Sequence, residues 1–481
     1  MADHQPQLNL RQWDAIAHVL TGHGLAMGRE GMLGGDVVST LLAAIDRVRD
    51  QPIESEDLIE AVRAFDARID SQLSADVAAA GRTARSIVDV SAAVGRLVVL
   101  SDLSAIDRHL ARCAAAVIGI ARSNIPVLMP VTMDGFVSQP TSVAHWLGAL
   151  IEQIGRARDV VLSTWDAVDR SPMGAGAMAA SGFSVDRARL ARDLGFNVAV
   201  ESTFDAVASL DWLGQAANAI DAALGPLLRF GNEVFTWFRI EPDAFRIGDW
   251  LMETASGIPQ WSGPYGLVRL NGELEHVAFQ AHVLAHEASS VTYGPQLATL
   301  ARIARGVHAI AGEAIELLRQ FAHFLEDGLI VNAGYFANRA GRSFSTSSDL
   351  ADFLILEEHL APGEAEQIAT LTISRARDQG LEAAGITVDL IDGAAMMVIG
   401  RELKVEFEAI SRYLAPRRFI ERRSVLGAPS PATMRTFLTH RAQDEAERDA
   451  RLSERRKRVQ MAVLEMRTAG ESMATELRES V

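Results

Sequence analysis

The sequence predicts an all-α protein, a bundle of long central helices with smaller helical regions at either end. Three observations carry this. Ala and Leu dominate while aromatic residues make up only 6% of the chain, which favours helix over sheet. Apolar residues recur at three- and four-residue intervals over stretches too long for strands. Strand-like alternation between these stretches is scarce. With 481 residues, 48% hydrophobic and 22% charged, the chain has enough apolar material for one large helical core with smaller ends.

Taken in order, residues 1–125 read as helices with a few glycine breaks, closing in a periodic stretch from Ala84 to Arg122. Residues 126–350 carry the longest helical patterns and form the predicted central bundle. One pattern covers Ser142 to Arg170. In a second, "LDWLGQAANAIDAALGPLLRFGNEVF", Leu210, Leu213, Ala217, Ile220, Leu224 and Leu228 mark a buried helix face. A third runs from Glu273 to Gly328 with an expected bend at Gly294-Pro295. Residues 351–481 form a smaller helical region. It finishes in "THRAQDEAERDARLSERRKRVQMAVLEMRTAG", whose dense mixed charge reads as a solvated helix rather than a nucleic-acid site. No internal repeat or low-complexity linker is visible.

Composition excludes several classes of function. A formal charge of −16 argues against general nucleic-acid binding, because neutralising phosphates needs clustered Lys and Arg. The single cysteine, Cys113, rules out a disulfide framework and points to the cytoplasm. The start "MADHQPQLNLRQWDA" lacks the pattern of a signal peptide, and no apolar run reaches the roughly 18 residues that span a bilayer. Phosphate loops and dinucleotide fingerprints are missing, so no cofactor is expected. His282 and His286, an i, i+4 pair with His276 nearby, are the nearest approach to a metal pattern, and no metal is expected.

Four stretches break the helical pattern: 123–142, 171–184, 254–266 and 338–348. The second, "SPMGAGAMAASGFS", spends Gly174, Gly176 and Gly182 within nine residues. Glycine costs a helix about 1 kcal/mol relative to alanine, so this is either a bent connector or a place where backbone must come close to something. In a bundle, loops of this kind mark helix ends or an assembled site, and loops distant in sequence can meet between subunits.

The order of these motifs resembles the argininosuccinate lyase family of the fumarase/aspartase superfamily. "SPMGAGAMAASGFSVDRARLARDLGF" followed by "ESTFDAVASLDW" is similar to the family's Pro-Leu-Gly-Ala-Gly-Ala segment, its Asp-Arg pair and its later Asn-Ser-x-Asp-Ala-Val. "SFSTSSDLADFLIL" (343–356), "VSQPTSVAHW" (137–146) and "GRTARSIVDV" (81–90) are similar to three further family segments, in the family's order, over residues 55 to 435. The resemblance implies a central bundle of long helices, a homotetramer, and active sites built from the loops of three subunits. The glycines at 174–182 then line such a site; a connector with no ligand contact is the plainer alternative.

The family's reaction is a β-elimination releasing fumarate from a succinyl adduct, with a flexible Gly-Ser-Ser-x-Met-Pro-x-Lys-x-Asn-Pro loop supplying the base and anion partners. Here that loop is "TASGIPQWSGPYG". Pro259, Gln260 and Pro264 fit, but the first serine falls on Ala255, the second on Ser256, the lysine on Trp261 and the asparagine on Gly263. The family's Thr-His-x-Gln falls on "MDGF", which places Asp134 at the histidine, and an N-terminal asparagine falls on Val88 while Ser86 and Asp89 remain. In "ESTFDA" the asparagine is Glu201, with Ser202 and Asp205 retained. Anion-binding groups thus give way to apolar residues or acids, and like charges in low dielectric bind a dianion poorly.

These residues predict a divergent lyase cleaving a C–N or other C–heteroatom bond of a less anionic small molecule. Asp134 and Ser256 are the acid/base candidates. Arg85, Ser86, Asp89, Glu201, Ser202, Asp205, Gln260 and Trp261 are the binding candidates, with Arg85's planar fork suited to a carboxylate. Met-Asp-Gly equally suits a solvated turn, and Ser256 an ordinary loop serine. His145 reads as a structural histidine opening a helix. Two alternatives stand beside this: an inactive homologue serving as a scaffold, and a cycloisomerase-type reaction on the same fold.

Overall fold

The computed structural model describes residues 8–53, 55–133, 136–258 and 260–479, with backbone course only for 132, 133, 136, 137 and 470–479. The N-terminal region holds α1 (Gln12–Arg29), α2 (Gly35–Arg49), α3 (Leu58–Asp70), α4 (Ala75–Gly81) and the 37-residue α5 (Ile87–Ser123). An antiparallel hairpin, β1 (Leu128–Met133) and β2 (Phe136–Ser142), leads into α6 (Val143–Val168). The glycine-rich connector follows: β3 (Arg170–Ser171), α7 (Arg187–Asp193), β4 (Val198–Ala199) and α8 (Thr203–Ala208), with β3 and β4 parallel. Next come α9 (Asp211–Ile240), β5 (Phe245–Ile247), β6 (Glu253–Thr254), β7 (Ser262–Gly263), α10 (Tyr265–Ser289), α11 (Leu297–His323) and β8 (Leu329–Val331). The chain ends in α12 (Ala333–Arg339), α13 (Ser348–Leu356), α14 (Pro362–Asp378), α15 (Val388–Ile399), α16 (Phe407–Leu414), α17 (Pro416–Arg422) and the 49-residue α18 (Pro431–Glu479).

The fold is all-α, with strands only as short pairs. Its centre is α5, α6, α9, α10 and α11, and specific contacts fix their directions. Gly214, near the start of α9, lies against Ala285 and Ala288 near the end of α10, while Asn271 near the start of α10 donates to Asn232 at 3.1 Å; the two helices are antiparallel. Arg96 of α5 reaches the carbonyls of Ala167 and Val168 at the end of α6, while Val143 bonds Val127 at the other end, so this pair is antiparallel too. Asp102 meets His308 and Cys113 faces Leu318, so α5 and α11 run the same way. One end of the bundle therefore carries the connector and the other the β1–β2 hairpin.

The predicted apolar face of α9 is buried at Leu213, Ala217, Ile220 and Leu224 and half-buried at Leu228. Three expectations need correction. Gly294-Pro295 is not a bend but part of a break between two helices, with Gly294 at φ +133. Residues 128–133 and 136–142 form strands, which the sequence concealed because Pro130 and Pro140 sit opposite one another in the ladder and neither supplies an N–H.

The mixed-charge C-terminal stretch is not simply solvated: it packs parallel to α6 through ion pairs. Arg441 bonds Glu152 (3.1 Å), Arg448 bonds Asp159 (2.8 and 2.9 Å), Arg455 bonds Asp166 (2.8 Å) and Arg458 bonds Asp169, all at a sequence offset of 289. Leu438, Leu452 and Val459 are buried beneath these rungs. Between them Arg158, wholly buried, bonds Asp107 (2.8 and 2.9 Å), Glu445 (2.5 Å) and Asp449 (2.6 Å). Burial pulls the Arg158 pKa down, but its three acids outweigh that and hold it above the ordinary value.

A separate apolar cluster of Leu350, Phe353, Leu354, Ile368, Ile391, Ile410 and Leu414 holds α13 to α16 together. Among the described residues, no helix is long and apolar enough to cross a membrane.

Candidate active site

At the connector end, the structure brings three predicted segments together. Ser86 caps α5: its hydroxyl accepts from Val88 N (3.3 Å) and its own N–H donates to Asp89 (2.9 Å), the reciprocal capping box that Ser-x-x-Asp spells in the sequence. The other oxygen of Asp89 accepts from Gly174 N (3.1 Å) and Gly176 N (2.8 Å). Asp89 is 0% exposed. Burial raises its pKa to about 6, against the opposing pull of these N–H donors and Arg85.

The glycines are explained by this contact. Gly174 (φ +80) and Gly176 (φ +61) turn the backbone so that both N–H groups face one carboxylate, a conformation that side chains resist. A Cβ on Gly176 would lie 2.9 Å from the Ala180 carbonyl. Arg187, which sequence reasoning did not single out, binds the carbonyls of Met173 (3.1 Å), Val200 (2.8 Å) and Glu201 (3.3 Å) and ties the turn to the strand before Glu201. Val88, Ala175, Val200, Ala206 and Val207 form a small apolar cluster beneath.

On this platform Glu201, Ser202 and Asp205 are exposed, with Ser202 capping α8 through Asp205 N (3.3 Å). Arg85 is committed elsewhere: its guanidinium makes a two-point pair with Asp66 (2.8 and 3.2 Å), donates to Gly81 O (2.9 Å), and is almost buried. Its planar fork is spent on an internal carboxylate.

The remaining predicted residues lie at the other end of the bundle. Asp134, between β1 and β2 in the sequence, lies outside the described residues, as does Pro259. The hairpin's Gln139 donates to Ser348 Oγ at 3.1 Å. Ser256 sits in a tight turn between β6 and β7, beside Gly257 at φ +79, and is exposed. Ala255 N bonds Trp261 O (2.9 Å) and Trp261 N bonds Ile258 O (2.8 Å), so the loop is closed on itself. Gln260 is exposed and Trp261 is 57% exposed. Nearby, buried Asp349 is held by Arg422 and Arg423, a hub the sequence showed only as part of a matched motif.

His145 opens α6 and bonds Thr141 Oγ1 at 2.7 Å. His282 faces Asp221 (3.4 Å) and His276 pairs with Gln280 (2.8 Å). Among the described residues, the side chains whose ligand atoms lie close enough to surround a metal ion are His323, Glu326 and Asp327. Arg112 already holds both oxygens of that glutamate, at 2.6 and 2.5 Å.

The two halves are far apart within one chain. The 30-residue α9 separates them, ~45 Å at 1.5 Å per residue.

No protein-family model matches the chain. The argininosuccinate lyase of Methanothermobacter thermautotrophicus is 24% identical over 419 residues, covering 86% of this chain and 88% of its own. The crystal structure of an EDDS lyase in complex with formate superposes with a TM-score of 0.85 at 21% identity, covering 98% of this chain and 93% of that one. A class II fumarase from Schistosoma mansoni gives a TM-score of 0.65 at 13% identity, over 85% and 91% of the two chains. Over most of its length the chain is thus similar in sequence to argininosuccinate lyases, and it shares the fold of the EDDS lyase and fumarase structures.

Proposed function

We propose that the protein is a carbon–nitrogen lyase acting by β-elimination on a small amino-acid-like molecule less anionic than argininosuccinate, at sites shared between the subunits of a cytoplasmic homotetramer. The observation that carries this is the separation of two ordered half-sites by the length of a central helix. The connector end holds Glu201, Ser202 and Asp205 without an acid/base candidate, and the loop end holds Ser256, Gln260 and Trp261 without that platform; copies packed with their bundles antiparallel would bring one half against the other.

In this reading Ser256, on its exposed turn, takes the proton from the carbon next to the carboxylate. The electron pair left behind forms the carbon–carbon double bond as the C–N bond breaks, and Asp134 returns a proton to the departing nitrogen. Glu201, Ser202 and Asp205 offer hydrogen-bonding partners to the amine side, while Trp261 and Gln260 close over the substrate. The engagement of Arg85 by Asp66 and the presence of Trp261 in place of a lysine support a substrate with fewer negative charges.

The test is a panel of amino-succinyl adducts, argininosuccinate included, followed by fumarate absorbance, with the oligomeric state measured by light scattering. Turnover that disappears in Ser256→Ala and Asp134→Asn, in a tetramer, supports the proposal. A monomer refutes the shared site. A tetramer silent on every adduct favours the second reading, an inactive homologue kept as a scaffold, for which the same loss of anion-binding groups speaks.

A further inference from the structure

We infer that Asp89 is a positioning residue for the candidate site: its buried carboxylate holds the Gly174–Gly176 turn against the start of α5. The inference rests on the reading above for what the turn serves, and on the contacts alone for what holds it.

Three features separate Asp89 from an ordinary capping residue. It spends one oxygen on the cap, at Ser86 N, and the other on two amides 85 and 87 residues further along the chain. Both distant donors belong to glycines at positive φ, so the turn is built to present its N–H groups to that oxygen. The carboxylate is wholly buried, and burial opposes its ionisation more than the three donors favour it. A charge retained at that cost points to a function for the geometry it maintains, because an uncharged acceptor would serve packing alone.

The consequence reaches beyond the turn. Arg187, its aliphatic chain against Gly174, holds Met173, Val200 and Glu201 through their carbonyls. Asp89 and Arg187 therefore both grip the connector, one through its amides and the other through its carbonyls, and exposed Glu201 and Ser202 sit on the segment so fixed. The charged groups that face Asp89 are Arg85, from its own segment, and Arg187, from α7. Protonating Asp89 turns an acceptor oxygen into an O–H among N–H donors, so the grip loosens in mild acid.

The experiment is hydrogen–deuterium exchange on the full-length protein between pH 5 and 8, corrected for intrinsic rates. It compares wild type with Asp89→Asn and reads residues 172–182 against the interior of α5. At pH 7.5 the variant is expected to exchange at least tenfold faster over 172–182 while α5 is unchanged. Wild type should converge on the variant as the pH falls through about 6, and the variant should show no such inflection. Rates within twofold of each other, or a wild-type turn indifferent to pH, overturn the inference. If Asp89→Asn does not fold, the wild-type titration decides alone. Exchange needs no substrate, so a silent adduct panel sinks the lyase reading and leaves this one standing.

Discussion

Arg158 offers the sharpest quantitative test of the fold. Its side chain is 0% exposed, and its partners Asp107 and Glu445 are 2% and 12% exposed. Replacing it with methionine keeps the volume and leaves Asp107, out of water, without its two-point partner, while Glu445 keeps Arg448. Breaking a buried pair in this way costs about 3–5 kcal/mol. At about 1.4 kcal/mol per decade, the detached population of α18 rises by roughly two to four powers of ten. Arg455 is the control, because its partner Asp166 is 56% exposed and such a pair contributes about 0–1 kcal/mol. Tryptic cleavage within 441–467 under native conditions, with opening fast relative to cutting, reads that population directly. Arg158→Met should accelerate cleavage at least a hundredfold, Arg455→Ala by no more than about fivefold. Combining Arg158→Met with Asp107→Leu and Glu445→Met should restore most of the protection, since removing a whole buried ion cluster is far cheaper than halving one. Acceleration under tenfold in the single variant refutes the reasoning.

Other outcomes follow from the same contacts. His18 and His23 are buried with pKa values lowered from 6.5 to about 4, chiefly by burial, and bond Leu194 O and Thr83 O. Because the unfolded chain takes up these protons first, their stabilisation is complete above pH 6.5 and is lost as the pH falls towards 4. The loss is about 3 kcal/mol for each histidine, and melting curves of His18→Gln/His23→Gln should flatten in that window. Gly176→Ala should destabilise the connector by about 1–3 kcal/mol and accelerate its exchange, through positive φ and the clash with Ala180 O; unchanged exchange would contradict the turn geometry. Trp261→Ala should leave stability within about 0.5 kcal/mol while raising KM for any adduct that turns over, and a fall in Tm with KM intact would show that the ring serves packing.

The long helices were legible because each buries one continuous face. Leu213, Ala217, Ile220 and Leu224 recur at the helical interval and end up in the core. Pro226 does not end α9, which continues to Ile240. The connector was legible as unusual from its glycines, but not its cause, because Asp89 lies 85 residues earlier and only the folded chain juxtaposes them. Arg85 illustrates the opposite failure. Its residue type suits a carboxylate, and it does bind one, but that carboxylate is Asp66 in the same chain. The partnership of α18 with α6 left a trace that composition hides. Glu152, Asp159 and Asp166 recur every seventh residue, as do Arg441, Arg448 and Arg455, and two matching heptad spacings announce facing helices.

That matching has a consequence for how the tail finds its place. Rungs repeating every seventh residue are indifferent to a slip of one repeat, ~10.5 Å along the axis, after which Arg448 would meet Glu152 and Arg455 would meet Asp159 with equal comfort. Other positions tell the two alignments apart: a slipped tail offers Asp166 the methyl of Ala462, Asp169 the carboxylate of Glu465, and buried Arg158 Leu452 where Glu445 should stand. The first rungs of the zipper supply attraction without an address, and the buried knot at Arg158 together with the last two rungs proofreads it.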